Sequence, residues 1–244
     1  MRFTREEIEA AQRTVHAAMP PTPQYTWPLL SARLGATVWA KHENHTPVGA
    51  FKIRGGLTYF ETIAREQPGV RHVISATRGN HGQSVGFAAR RHGLGATIVV
   101  PHGNSLEKNA AMRALGVTLV EHGDDFQAAS EHAAVLAERD ALHRVPSFHR
   151  ELVRGVSTAY VEFFSAFKDT PPDVLFVPIG LGSGFAGAVA ARAHCGASTR
   201  LIGVVSAHAT AYRDSFRAGK PVESPATTRL ADGMACRTPV PESL

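Results

Sequence analysis

An α/β protein built on two open parallel sheets is predicted by three features of the 244-residue sequence. Continuous apolar runs recur over 70–76, 96–101, 117–120, 174–179 and 201–205, each of a length suited to a strand buried on both faces. Stretches of helical character lie between or after them, over 79–91, 105–115, 124–139, 184–193 and 209–218, with Gly93 and Gly116 closing the first two. Loops carrying several glycines join strand to helix at 77–83 and 180–187. Strands alternating with helices imply parallel pairing through right-handed crossovers.

The N-terminal third differs. Residues 4–18 read as an amphipathic helix with Thr4 as N-cap and Glu7 as its capping-box partner. Pro20, Pro21 and Pro23 stop it. A short strand is expected over 37–40, then a turn at Pro47 and Gly49, then a helix over 53–65 broken by Pro68 and Gly69. That order puts Lys52 at a loop-to-helix junction between Phe51 and Ile53. Residues 230–244 read as a loop. Ligands of open α/β sheets bind beyond the carboxyl ends of the strands, where both glycine loops fall, so a cleft between two domains is expected. The small domain is expected over 70–150, inserted into a large one made of 1–69 and 151–244.

Composition bounds the function. Hydrophobic residues make up 43% and charged residues 19%, which excludes a disordered chain. No apolar run approaches the length of a membrane span, so no membrane partner is expected. The N-terminus is acidic where a signal peptide needs an apolar core, and a cytoplasmic address is expected. The net charge of +5 is scattered rather than gathered in a stripe, which argues against a nucleic-acid partner. Cys195 and Cys236 show no framework spacing and read as reduced thiols. None of the 13 histidines falls in a ligand motif, and no metal site is expected.

Three stretches can carry chemistry. An apolar setting for Lys52 would desolvate its ammonium, lower its pKa and leave an amine able to form a Schiff base. The loop containing Gly180, Leu181, Gly182, Ser183 and Gly184 presents backbone N–H groups at a helix start, suited to a phosphate. It also reads as a tight turn, or as a dinucleotide fingerprint through Gly182, Gly184 and Gly187. The following strand, however, ends at Ser206 rather than at an acid for the ribose. Asn80 begins the helix after the first loop and reads either as a simple N-cap or as a ligand-binding side chain.

Lys41, Glu43 and Asn44 leading into Phe51, Lys52, Arg54 and Gly55, then Thr77, Gly79, Asn80 and His81, then the loop 180–184, keep one order and spacing. Together they resemble the fold-type II pyridoxal-phosphate enzymes, most closely the threonine/serine dehydratase branch, from about residue 22 to the last. The resemblance implies two parallel-sheet domains of that kind and pyridoxal 5'-phosphate as cofactor. It implies Lys52 as the catalytic lysine, Asn80 on the 3′-oxygen of the cofactor, and Gly180, Leu181, Gly182, Ser183 and Gly184 on its phosphate. Thr77, Gly79, His81 and Gln83 are implied as a loop for the substrate carboxylate. Phe51 reads either as a neighbour of the cofactor ring or as core. The reaction implied is loss of water and ammonia from a β-hydroxy amino acid (threonine, serine or 3-hydroxyaspartate) to give a 2-oxo acid, in a homodimer or higher homo-oligomer. A β-replacement enzyme of the cysteine-synthase kind and a cofactor-binding remnant without turnover are the alternatives.

Four departures from the family pattern stand out. Leu181 and Ser183 replace glycines of the phosphate loop. Arg78 stands where the family's racemases place a serine, and a permanently charged guanidinium is a poor base, so racemisation is disfavoured. Arg78 reads instead as a contact for an anionic group on the substrate, or as a surface charge. Ser206 and Tyr212 occupy the places of the family's cation-binding acids, and Asp214 alone is insufficient. Finally, family members continue beyond the segment that 230–244 resembles, so the large domain is expected to be incomplete at the C-terminus.

Overall fold

A computed structural model describes residues 1–168, 170–228 and 230–244. Its first helix, α1 (Arg5–His16), carries the expected capping box: Thr4 Oγ1 accepts from the Glu7 N–H, and the Glu7 carboxylate accepts from the Thr4 N–H. Next come β1 (Gln24–Thr26), α2 (Pro28–Leu34) and β2 (Trp39–Lys41). The strand expected over 37–40 is thus shifted to Trp39–Lys41, and it pairs antiparallel with β1 rather than joining a parallel sheet. The 12 residues between the paired strands hold the two-turn helix α2, after which the chain returns antiparallel to β1.

The helix α3 (Lys52–Glu66) starts one residue earlier than expected. Phe51 already has helical angles, and the Arg54 N–H donates to the Phe51 carbonyl. Lys52 is therefore in the first turn of a helix and not in the loop before it. Then follow β3 (His72–Ala76), α4 (Asn80–Arg91), β4 (Gly95–Val100), α5 (Leu106–Ala114), β5 (Thr118–Glu121), α6 (Phe126–Arg139) and β6 (His143–Arg144). All four strands are parallel, in the order β5-β4-β3-β6. Side-chain alternation divides the core between the two faces. Val73, Ile98 and Val100 meet α3 and α4 on one face, whereas Ile74, Ala76 and Val99 meet Ala129, Ala133 and Leu136 of α6 on the other.

The remaining elements are α7 (Arg150–Ser165), β7 (Val174–Pro178), α8 (Ser183–His194), β8 (Arg200–Val204) and α9 (Ala211–Ala218). Strands β7 and β8 form a second parallel pair. The stretch 230–244, expected as loop, contains short 3-10 turns at Asp232–Met234 and Pro241–Ser243. Sequence reading left α7 out, although Leu152, Val153, Val156, Val161, Phe163 and Phe164 are all buried. Gly155 lies against the Arg54 carbonyl and Gly55 against that of Leu152, so α3 and α7 cross backbone to backbone.

This crossing leaves a long charged side chain, Arg54, fully inside. Arg54, at 0% exposure, donates from Nε to Glu43 at 2.8 Å and from Nη1 and Nη2 to Glu162 at 2.6 and 2.9 Å. Its Nη1 also reaches Thr158 Oγ1 at 3.0 Å. Lys41 Nζ joins at 2.7 Å from Glu162, and His16 Nε2 at 2.8 Å. Burial pushes the Glu162 carboxyl up, but the Arg54 guanidinium, Lys41 and His16 outweigh it and hold the pKa down at about 2. The network joins α1, β2, α3 and α7 and fixes the backbone that carries Lys52.

A depressed carboxyl pKa gives stability that is present above the unfolded value of 4.5 and lost as pH falls towards about 2. Denaturant unfolding followed from pH 6 to pH 2 is expected to lose on the order of 3 kcal/mol through this group. Glu162→Gln is expected to destabilise at neutral pH by about 3 kcal/mol and to flatten that acid dependence. An unchanged pH slope in this variant would show that Glu162 does not carry the effect.

Candidate functional site

Lys52 is placed by both ends of its residue. Its carbonyl accepts from Ser84 Oγ of α4 at 2.7 Å, which pins the start of α3. Its Nζ lies 3.5 Å from Ser183 Oγ, at the first residue of α8, and 5.5 Å from the Phe51 ring centroid. Burial lowers its pKa to about 8. Lys52 lines a cavity of about 10 Å³ with His81, Ser147 and Ser183, walled by Leu152 and Val156. A larger hollow of about 410 Å³ lies between α4 and α5, where Arg90 and Arg113 are the charged groups. It has neither a lysine nor a carboxylate, so the smaller, reactive cavity is the candidate site.

The second glycine loop stands beside this amine. Gly182 has φ of +91°, a region that disfavours any side chain, and it turns β7 into α8. A Cβ on Gly182 would stand 2.6 Å from that of Ser243. Gly180 packs against the Gly233 carbonyl, and a Cβ on Gly184 would lie 3.5 Å from Tyr160 Oη and 3.6 Å from Phe51 Cζ. Phe51 is thus a wall of the loop rather than core. Gly182, Ser183 and Gly184 are buried, and Gly180 and Leu181 are half-buried. The N–H groups of the first turn of α8 have no intrahelical partners, so this turn favours an anion.

The first loop divides between the interior and the surface. Thr77 is buried, and its Oγ1 accepts from the Gly79 N–H at 3.0 Å. The N-cap position belongs to Gly79; Asn80 is the first residue of α4, exposed and free of capping duty. The N-cap reading of Asn80 is therefore corrected: the turn closed by Thr77 places the helix start one residue earlier, with Gly79 as N-cap. Arg78 and Gln83 are half-buried, and among the described residues their side chains make no hydrogen bond. His81 is 6% exposed and faces inward, where its Nε2 has no partner among the described residues. Burial, then the charge of Lys52, lower its pKa to about 3 against a smaller opposing effect of the Pro146 carbonyl.

Lys52, Phe51, His81, Ser183 and Gly184 are thus brought together, whereas Asn80 is exposed and makes no side-chain hydrogen bond among the described residues. Four contributors were missed in the sequence. Ser147 lines the cavity and Tyr160 flanks Gly184. The Lys108 stem covers Gly79, and its Nζ pairs with Asp232 at 2.5 Å. Only Tyr160 had a signal, the apolar spacing of α7. The others depend on contacts distant in sequence. Among the described residues no group of three or more His, Cys, Asp or Glu converges as for a metal, both cysteines are free, and no helix is long and apolar enough to cross a membrane.

Known proteins share both the sequence and this arrangement. The chain is 36% identical over 207 residues to a threonine dehydratase of Nicotiana attenuata, covering 84% of this chain and 34% of that protein. It is 31% identical over 238 residues to an L-threonine ammonia-lyase of Thermotoga maritima, covering 97% of this chain and 59% of that one. The chain thus spans between a third and three-fifths of the length of these relatives. The processed form of threonine deaminase isoform 2 from Solanum lycopersicum superposes with a TM-score of 0.84 at 29% identity, over 98% of this chain and 67% of that one. The profile described as "Pyridoxal-phosphate dependent enzyme" matches residues 15–244. With that match spanning the lysine, both glycine loops and the second sheet, the chain belongs to the family of pyridoxal-phosphate dependent enzymes.

Proposed function

We propose that the chain carries the site of a dehydratase (ammonia-lyase) that converts a β-hydroxy amino acid to a 2-oxo acid and ammonia. One observation carries the reading: the desolvated amine of Lys52 stands 3.5 Å from Ser183, at the anion-favouring start of α8, although the two are 131 residues apart. A group bearing both an aldehyde and a phosphate needs these two neighbours together, so the residues fit pyridoxal 5'-phosphate. The names of the relatives, threonine dehydratase and L-threonine ammonia-lyase, support the reaction class.

In this reading the backbone N–H groups of Gly182, Ser183 and Gly184 hold the phosphate, with Gly180 and Leu181 completing the turn. Phe51 and Tyr160 wall off that side of the site. The bound cofactor supplies an electron sink for bond breaking at the α-carbon. Lys52 would be the residue that holds the cofactor's aldehyde end and, as a neutral amine, the base for the substrate's α-proton. Its pKa of about 8 leaves a usable fraction of neutral amine near neutral pH. With the proton so gained by Lys52, the β-hydroxyl would leave as water. Thr77, Gly79, His81 and Gln83 form the loop for the substrate carboxylate, and Asn80 is free to reach the cofactor's 3′-oxygen. Arg78, half-buried with no hydrogen-bond partner among the described residues, is suited to a second carboxylate on the substrate. The exposed apolar side chains Leu29, Leu34, Trp27 and Trp39 around α2 and β2 support a homo-oligomer.

Pyridoxal phosphate added to the protein, reduced with borohydride and mapped by peptide mass spectrometry is expected to label Lys52. The Lys52→Ala variant is expected to carry no such label and to lose 2-oxo acid formation by roughly three orders of magnitude or more. Label on another lysine, or none in folded protein, sinks the proposal, and label without 2-oxo acid from any of the three substrates leaves only a cofactor binder. Arg78→Ala is expected to lower kcat/KM for 3-hydroxyaspartate about tenfold more than for threonine. Equal losses on both substrates would remove Arg78 from substrate recognition.

A further inference from the structure

We propose that Lys108 and Asp232 are positioning residues: their ion pair clasps the two glycine loops together, so that the loop for the substrate carboxylate and the loop for the phosphate keep one spacing. The inference deepens the dehydratase reading and rests on it for what the two loops bind. The clasp itself belongs to the chain without cofactor.

The clasp has two arms with one short turn between them. The Lys108 stem runs across Gly79: a Cβ on Gly79 would stand 2.5 Å from Lys108 Cδ, 3.3 Å from Cγ and 3.4 Å from Cε. A side chain at that position would therefore push the stem off the loop. Past the loop, Lys108 Nζ donates to both carboxylate oxygens of Asp232, at 2.7 and 2.5 Å. Asp232 opens the 3-10 turn Asp232–Met234, and the next residue, Gly233, sets its carbonyl against Gly180. One turn thus backs the phosphate loop with its main chain and holds the carboxylate loop through a lysine.

Lys108 is held at its root as well as at its head. Its N–H donates to Ser105 Oγ at 3.3 Å where α5 begins. The next residue, Asn109, is buried and accepts from Asn104 Nδ2 at 2.6 Å. Both members of the ion pair are partly exposed, so the pair adds little to global stability. What it supplies is direction, because a lysine stem left untied keeps its rotamer freedom. Further along the same segment, Arg237 pairs at 3.3 Å with Asp125, the N-cap of α6. That second, more exposed pair also fastens the segment to the β5-β4-β3-β6 sheet, but neither of its members lies over a glycine loop.

The test uses the full chain without added cofactor. Amide hydrogen exchange, read by mass spectrometry, compares wild type with Lys108→Met, Asp232→Asn and Arg237→Gln. Methionine keeps most of the stem and removes the charge. Lys108→Met and Asp232→Asn are each expected to speed exchange over both 77–83 and 180–184 roughly two- to fivefold, and the double variant no more than either alone. Arg237→Gln is expected to leave both loops at the wild-type rate. In about 1 M sodium chloride wild type is expected to approach the two clasp variants, which themselves do not respond, because salt screens an exposed pair. Unchanged loops in both clasp variants, a change in one loop alone, or an equal change in Arg237→Gln overturns the proposal. Should a variant not fold, the salt response of the wild-type loops decides, and its absence overturns the proposal. With cofactor bound, Lys108→Met is expected to raise KM for the amino acid roughly two- to fivefold with kcat within about twofold of wild type. A loss in kcat alone overturns the positioning role. Failure of the dehydratase reading appears separately, as the absence of borohydride-trapped pyridoxal phosphate on wild-type Lys52, and leaves the exchange rates unaltered.

Discussion

Two residues after Lys52, the chain sends Arg54 into an interior where a lone guanidinium could not be tolerated. Glu43 and Glu162 must meet it there, and Thr158 takes a further hydrogen. Removing a charge from water costs several kcal/mol, and only well-placed partners offset it. That requirement constrains the rest of the structure. It fixes the segment before α3 through Glu43, the middle of α7 through Thr158 and Glu162, and α1 through His16. The glycine contact between α3 and α7 is the steric counterpart, since helices that cross this closely leave the guanidinium one route. Lys52 sits on the first turn of the helix so held, and its carbonyl is tied to Ser84.

Arg54 and Lys52, neighbours along the helix, are treated in opposite ways. Arg54 is surrounded by carboxylates and its pKa is raised, so it stays charged. Lys52 meets desolvation without a carboxylate, and its pKa falls to about 8. One is a structural charge and the other an amine able to exist neutral. Their separation by a single residue along the helix lets the first hold the second in place. The difference in environment, not in residue type, sets these roles.

Lys108, from the helix after β4, lies over Gly79 and pairs with Asp232 in the segment that packs against Gly180. Both ends of that pair are partly exposed, so it contributes little energy while still aligning the two glycine loops. Phe51 and Tyr160 add an aromatic wall on the other side. The site is thus assembled from four segments remote in sequence, each on a strand end or a helix start.

The chemistry-bearing residues were legible in the sequence because each needs a particular residue type. A lysine next to apolar neighbours and glycines between strand and helix announce themselves through their own physics, and their order carried the family resemblance. Alternation of apolar runs with helices likewise gave the parallel architecture. Three things were settled only by folding. The antiparallel pairing of β1 with β2 joins two three-residue strands on either side of α2, and the N-cap passed from Asn80 to Gly79 because Thr77 closes the preceding turn. The inward turn of His81 onto the Lys52 cavity rests on the packing of α4 against α3, over separations no local pattern encodes. Sequence determined which groups are present and on which elements; burial and long-range contact decided which are charged, which are neutral and which face one another.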